Sequence, residues 1–152
     1  MKILVAEDDR ASRRRLQATL KKWGYEVIAT ANGTEAWDKI QTVKDLPLLV
    51  LDLEMPGLDG LDVCRKVRMA SDSQLPYIIF LSAFESKEDI AEGLLAGADD
   101  YVTKPFHAME LRARVHVGAR VVELQQALAN RVKELEDAFE KINQLHELLK
   151  KR

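Results

Sequence analysis

The sequence predicts a doubly wound α/β domain, because five short β-type runs alternate with helical stretches, three of those runs are apolar throughout, and acids follow the first and third. Strands apolar on both sides need cover on both faces, which a parallel sheet flanked by helices provides.

The first run, Ile3 to Ala6, is continuously apolar and ends at Glu7, Asp8 and Asp9. Asp9 opens a helical pattern and reads as its N-cap in preference to a third member of the acidic group. In that helix Leu16, Leu20 and Trp23 follow at spacings of four and three and face the sheet, while Arg13, Arg14 and Lys21 turn outward. Arg13 to Arg15 reads as a solvated face, and Gly24 supplies the stop.

Tyr25 to Thr30 is mixed in character, as an edge strand should be, and Asn32 with Gly33 punctuates the chain before the second helix. Leu48 to Leu51 is apolar and ends at Asp52. In the third helix Cys64 lies three residues from both Leu61 and Val67, which is the spacing of an ordinary core contact, and Asp59 and Asp62 read as loop and helix-face residues. Tyr77 to Leu81 is the fourth strand, Ser86 with Asp89 has the spacing of a capping box, and Gly97 closes the fourth helix. Tyr101 to Thr103 is the short fifth strand.

Strands 1, 3 and 4 are therefore central and strands 2 and 5 are edges, giving the order 2-1-3-4-5. In such a sheet the ligand crevice lies at the carboxyl ends of strands 1 and 3.

Composition narrows the function. The 152 residues are 47% hydrophobic, enough for one domain with an extension. A formal net charge of -2 gives no basic excess towards nucleic acid or a membrane surface. The single cysteine, Cys64, excludes an internal disulfide, and no apolar run approaches the roughly 20 residues of a bilayer span. The expectation is a cytoplasmic protein with no nucleic-acid or membrane partner.

The strand order brings Glu7, Asp8 and Asp52 together across the crevice, where like charges repel unless a hard cation offsets them. Oxygen-only ligands suit Mg²⁺ better than zinc or copper. Strand 4 ends in the hydroxyl of Ser82 and strand 5 in Thr103, Lys104 and Pro105. Metal, lysine and hydroxyl together suit a dianionic phosphoryl group, and Asp52 stands beside them as a carboxylate nucleophile.

Three stretches, Val5-Ala6-Glu7-Asp8-Asp9, Leu51 to Gly60 and Gly97 to Phe106, closely resemble the response-regulator receiver family, over roughly Met1 to Gly118. The resemblance implies a flavodoxin-like (βα)5 fold with Asp52 as phosphoacceptor. It also implies Asp8 and the backbone carbonyl of Glu54 as Mg²⁺ ligands, Glu7 acting through metal-bound water, and Lys104 and Ser82 on the phosphoryl oxygens. Tyr101 matches the family's aromatic switch position, coupled to Ser82. A sensor histidine kinase or phosphotransfer protein is the implied partner.

From Ala108 to Arg152 there is no proline, so the fifth helix is expected to run for about 45 residues, roughly 68 Å. Leu111, Val115, Gly118 and Val122 fit packing back on the domain. Val121, Leu124, Leu128, Arg131, Leu135, Ala138, Ile142, Leu145 and Leu149 instead alternate three and four apart, a heptad seam in which only Arg131 is charged. The division expected is a receiver over 1–118 and a coiled-coil signalling helix over 119–152, forming a homodimer and leading to a possible output domain such as a diguanylate cyclase or phosphatase.

The alternatives are a stand-alone receiver signalling by dimerisation, a metal-dependent phosphatase with an aspartyl intermediate, and a flavin-binding module. The phosphatase lacks the Asp-x-Asp expected after its first strand, and a crevice of carboxylates would repel a flavin phosphate. A switch rather than a metabolic enzyme is the reading.

Overall fold

The computed structural model describes residues 1–70 and 75–152. Its elements run β1 (Lys2–Ala6), α1 (Arg10–Lys22), β2 (Glu26–Thr30), α2 (Gly33–Thr42), β3 (Leu48–Asp52), α3 (Gly60–Ala70), β4 (Tyr77–Ser82), α4 (Lys87–Leu95), β5 (Asp100–Thr103) and α5 (Ala108–Lys150). The strands form one parallel sheet of order β2-β1-β3-β4-β5, the predicted doubly wound arrangement. The chain divides into two compact units, Met1–Val122 and Glu123–Arg152.

Alternation along the central strands sends side chains to both faces, and both faces are buried. Leu4, Leu49, Leu51, Ile78 and Phe80 pack with Val63, Cys64 and Val67 of α3 on one side. Ile3, Val5, Leu48, Val50 and Ile79 pack with Leu16 and Leu20 of α1 and with Leu111, Val115 and Val122 of α5 on the other. Truncating one such leucine to alanine costs about 2–5 kcal/mol. Register then sets the site: Ala6 pairs with Leu51, Asp52 with Leu81, and Ser82 with Thr103, so the residues that follow emerge at one end of the sheet.

The helix ends follow local chemistry. Asp9 caps α1, its carboxylate accepting from the Ser12 N–H at 2.9 Å. Asn32 caps α2 in the same way through Glu35 N–H at 2.8 Å. Ser86 caps α4 by accepting from Asp89 N–H, while its hydroxyl donates to the Asp89 carboxylate at 2.6 Å. The β3–α3 connection gives two acids a capping role as well. Asp59 accepts from Asp62 N–H at 2.8 Å and donates its own N–H back to the Asp62 carboxylate at 3.2 Å. Asp59 lies in the loop and Asp62 on α3, as read from the sequence, and together they form a reciprocal cap on the helix.

At the opposite end of the sheet Arg68 of α3 ties together the two segments that lead into β4 and β5. It donates to the carbonyls of Gly97 at 2.9 Å and Pro76 at 2.8 Å and to the Asp99 carboxylate at 2.9 Å.

In α5 the buried residues are Leu111, Val115, Gly118 and Val122, the stripe read from the sequence as facing the domain. A Cβ at Gly118 would stand 2.7 Å from Tyr77 Cδ1 and 3.0 Å from Leu48 Cδ1, so this helix lies against the sheet at a distance only glycine allows. In the second unit Leu128, Leu135, Phe139, Ile142 and Leu149 are exposed. No helix among the described residues is long and apolar enough to cross a membrane.

Candidate functional site

Three carboxylates meet at the ends of β1 and β3. Glu7, Asp8 and Asp52 each offer an oxygen, and those atoms lie within 4.8 Å of one another. Glu7 and Asp52 are buried and Asp8 is exposed, so two of the charges sit in low dielectric while the third faces solvent. The donor set is oxygen only, which fits a hard divalent ion.

Lys104, just past β5, spans the buried pair: its Nζ is 3.0 Å from both Glu7 oxygens and 2.8 Å from Asp52 Oδ2. Asp52 Oδ1 accepts from the Glu54 N–H at 3.1 Å. Burial pushes the Glu7 carboxyl up to about 8, its hydrogen bonding and repulsion with Asp52 add to the rise, and Lys104 opposes it. For Lys104 burial works downward, but its contacts with Asp52 and Glu7 prevail and its ammonium is held above the usual range.

This imbalance has a measurable consequence. The unfolded chain releases the Glu7 proton near 4.5 whereas the folded protein holds it to about 8, so the folded state binds more protons across that interval. The Glu7 contribution to stability is therefore greatest below the lower value and falls as pH rises through the upper one. Denaturant titrations of the metal-free protein between about pH 5 and about pH 9 should show wild type losing stability relative to Glu7→Gln. A difference that stays constant across the range refutes the assignment.

Ser82 and Tyr101 converge on one residue. The buried Ser82 hydroxyl accepts from the Phe84 N–H at 3.0 Å, and the Tyr101 hydroxyl donates to the Phe84 carbonyl at 2.9 Å. Burial raises the Tyr101 phenol, and the nearby Ser82 hydroxyl works the other way. Phe84, half-exposed, is thus held at both ends of its backbone by the two side chains proposed from the sequence as a switch.

A cleft of about 480 Å³ opens beside the acids, lined among others by Asp8, Glu54, Met55, Asp59 and Phe84. Asp8 and Glu54 therefore border the same cleft. Gly60 matters to this geometry, because a Cβ there would stand 2.5 Å from the Asp52 carbonyl oxygen and force the loop after β3 away from the strand.

Two residues escaped the sequence reading. Arg13 is not merely part of a solvated face: its Nη1 donates to the Glu7 carbonyl at 3.0 Å and the Asp8 carbonyl at 3.4 Å, fixing the backbone of the acidic turn from α1. Arg15 stacks over Phe106 with its guanidinium carbon 4.7 Å from the ring centre. Position on the helix wheel carried the only signal, and it cannot say where a long side chain ends.

Fold and site together define a doubly wound domain with a carboxylate cluster at its switch point. The chain belongs to the response regulator receiver domain family, whose model matches residues 3–116. It is thereby a receiver domain of the two-component signalling class. Among its relatives, response regulator MprA of Mycobacterium avium is 45% identical over 139 residues, covering 91% of this chain and 55% of MprA. Transcriptional regulatory protein YrkP of Bacillus subtilis is 42% identical over 139 residues, covering 91% of this chain and 56% of YrkP. The chain thus spans about half the length of the curated relatives it matches.

Solved structures agree. The receiver domain of Francisella response regulator 1452 superposes with a TM-score of 0.73 at 34% identity, over 78% of this chain and 96% of that one. A two-component system response regulator/GGDEF domain protein superposes with a TM-score of 0.76 at 30% identity, over 81% of this chain and 50% of that one.

Proposed function

We propose that the domain receives a phosphoryl group on Asp52 from a phosphohistidine of a sensor histidine kinase or phosphotransfer protein, in an Mg²⁺-dependent phosphorelay. The observation that carries this reading is the junction of Glu7, Asp8 and Asp52 within 4.8 Å with Lys104 at 2.8 Å from Asp52. An Asp52 oxygen forms the new O–P bond as the P–N bond breaks, and the imidazole leaves with the electron pair and takes up a proton. Asp8, Asp52 and the Glu54 carbonyl would hold Mg²⁺, with Glu7 acting through water. When bound, the ion supplies the positive charge that the carboxylates and phosphoryl oxygens need.

Lys104 and Ser82 would hold the phosphoryl oxygens. Drawing the Ser82 hydroxyl inward releases the Phe84 N–H, and the change reaches Tyr101 through the Phe84 carbonyl. We divide the chain functionally into a receiver over 1–118 and a signalling helix over 119–152. The exposed apolar side chains of that helix support homodimerisation, and the GGDEF-bearing neighbour supports a role in driving an output domain.

The metal is tested through Asp8, the exposed member of the cluster. Asp8→Ala should weaken Mg²⁺ binding at least about tenfold, measured by titration calorimetry, with little change in unfolding free energy because no core contact is lost. Unchanged affinity removes Asp8 from the site.

A further inference from the structure

The seven-residue repeat of Leu128, Leu135, Ile142 and Leu149 belongs to two overlapping seams, not one. On one flank the repeat is joined by Leu124, Arg131, Ala138 and Leu145, and on the other by Gln125, Val132, Phe139 and His146. Either flank completes a spacing of three and four, and the two seams differ by a rotation of the helix of about 50°. A helix that pairs with a copy of itself must choose between them.

The first seam is poorly suited to self-pairing. In a parallel pair it sets Arg131 against Arg131 of the second copy inside an apolar interface, where like charges have little water to screen them. It also fills another position with the small Ala138. The second seam carries the polar Gln125 and His146 towards its two ends, and at its centre it buries Val132 and Phe139, which are exposed in the single chain. A β-branched residue beside leucines at the alternate positions favours a two-stranded pair.

Charge supplies a separate argument. With Val132 in the seam, Arg131 moves to its flank, and in a parallel, in-register pair the facing flank position is five residues on, at Glu136 of the second copy. Two-fold symmetry makes this opposite-charge pair twice. Within the single chain Arg131 lies 3.6 Å from Glu134, both well exposed, so that contact is weak and easily exchanged.

We infer that the part of α5 from residue 123 to residue 150 binds a second copy of itself in parallel and in register through Leu128, Val132, Leu135, Phe139, Ile142 and Leu149, with Arg131 of each copy facing Glu136 of the other. The inference rests on the dimer proposed above and adds its orientation, register and ion pairs. The alternative seam remains one small rotation away, so the same pair of helices contains a second arrangement that Arg131 disfavours.

Single cysteines in the full chain test it, with the buried Cys64 left in place. Under a mild added oxidant such as diamide, Val132→Cys and Phe139→Cys should each form disulfide dimers, whereas Ala138→Cys and Leu145→Cys should not. Sedimentation should also show Arg131→Glu and Glu136→Arg each weakening the dimer about tenfold, with the double variant returning close to wild type. Cross-linking at 138 and 145 but not at 132 and 139, or a double variant no tighter than the singles, overturns the register while the dimer stands. A wild-type chain that sediments as a monomer at every concentration overturns the dimer itself.

Discussion

Asp52→Asn should yield a folded protein that takes no label from acetyl phosphate. Asp52 is 3% exposed, and the amide that replaces its carboxylate has nearly the same shape, so packing against the β3 and β4 neighbours is kept. Its oxygen still accepts from the Glu54 N–H, and the loss of the Asp52 charge removes one cause of the raised Glu7 carboxyl. The variant gives up the Lys104–Asp52 ion pair, but Lys104 keeps both Glu7 oxygens as partners and the fold is retained, whereas the proposed nucleophile is gone. Labelling that is stable in acid and labile in base should vanish completely. If it persists undiminished in the variant, the phosphoryl group lies elsewhere.

The second large effect concerns the helix. Leu135→Asp combined with Ile142→Asp puts carboxylates into the shared column of both seams, where each copy's charge would meet its counterpart away from water. Dimer dissociation should rise by roughly three orders of magnitude or more, seen as a monomer by analytical ultracentrifugation. Asp52 of this variant should still accept phosphate, because the substitutions lie in the other unit. In wild type, beryllofluoride should change spin-label distances along the helix, by no more than its preference for one arrangement allows. Distances that ignore it refute the coupling, and a wild-type monomer refutes the dimer.

The fold was legible because burial repeats along the chain in ways a sequence displays. Leu48 to Leu51 and Ile78 to Leu81 are apolar on both faces, which only central strands tolerate, and Leu111, Val115, Gly118 and Val122 mark one side of a helix. Asp9 was readable as a cap because its role depends on the three residues after it. The meeting of Glu7, Asp8 and Asp52 followed from strand order alone.

Long-range partners across the fold were another matter. Arg13 looks outward by helical phase, yet its long side chain ends on the Glu7 and Asp8 carbonyls. Phe84 offers an aromatic ring to the reader of a sequence, whereas its structural use lies in its backbone N–H and carbonyl. Asp59 and Asp62 were placed in loop and helix, but that each accepts an N–H from the other was not read from the sequence. Backbone partners leave no mark on composition or periodicity.

Asp52 Oδ1 is engaged by the Glu54 N–H and Oδ2 by the Lys104 ammonium, so about half of its roughly four lone-pair positions are already committed inward. Such a carboxylate is a muted reagent. With Asp52 as the proposed phosphoacceptor, stray activated phosphates would meet a nucleophile whose electron density is partly drawn into the domain, and background charging would be slowed without any separate inhibitor. On the proposed reading, silence between signals would then be a property of the resting hydrogen bonds themselves, set before any partner arrives.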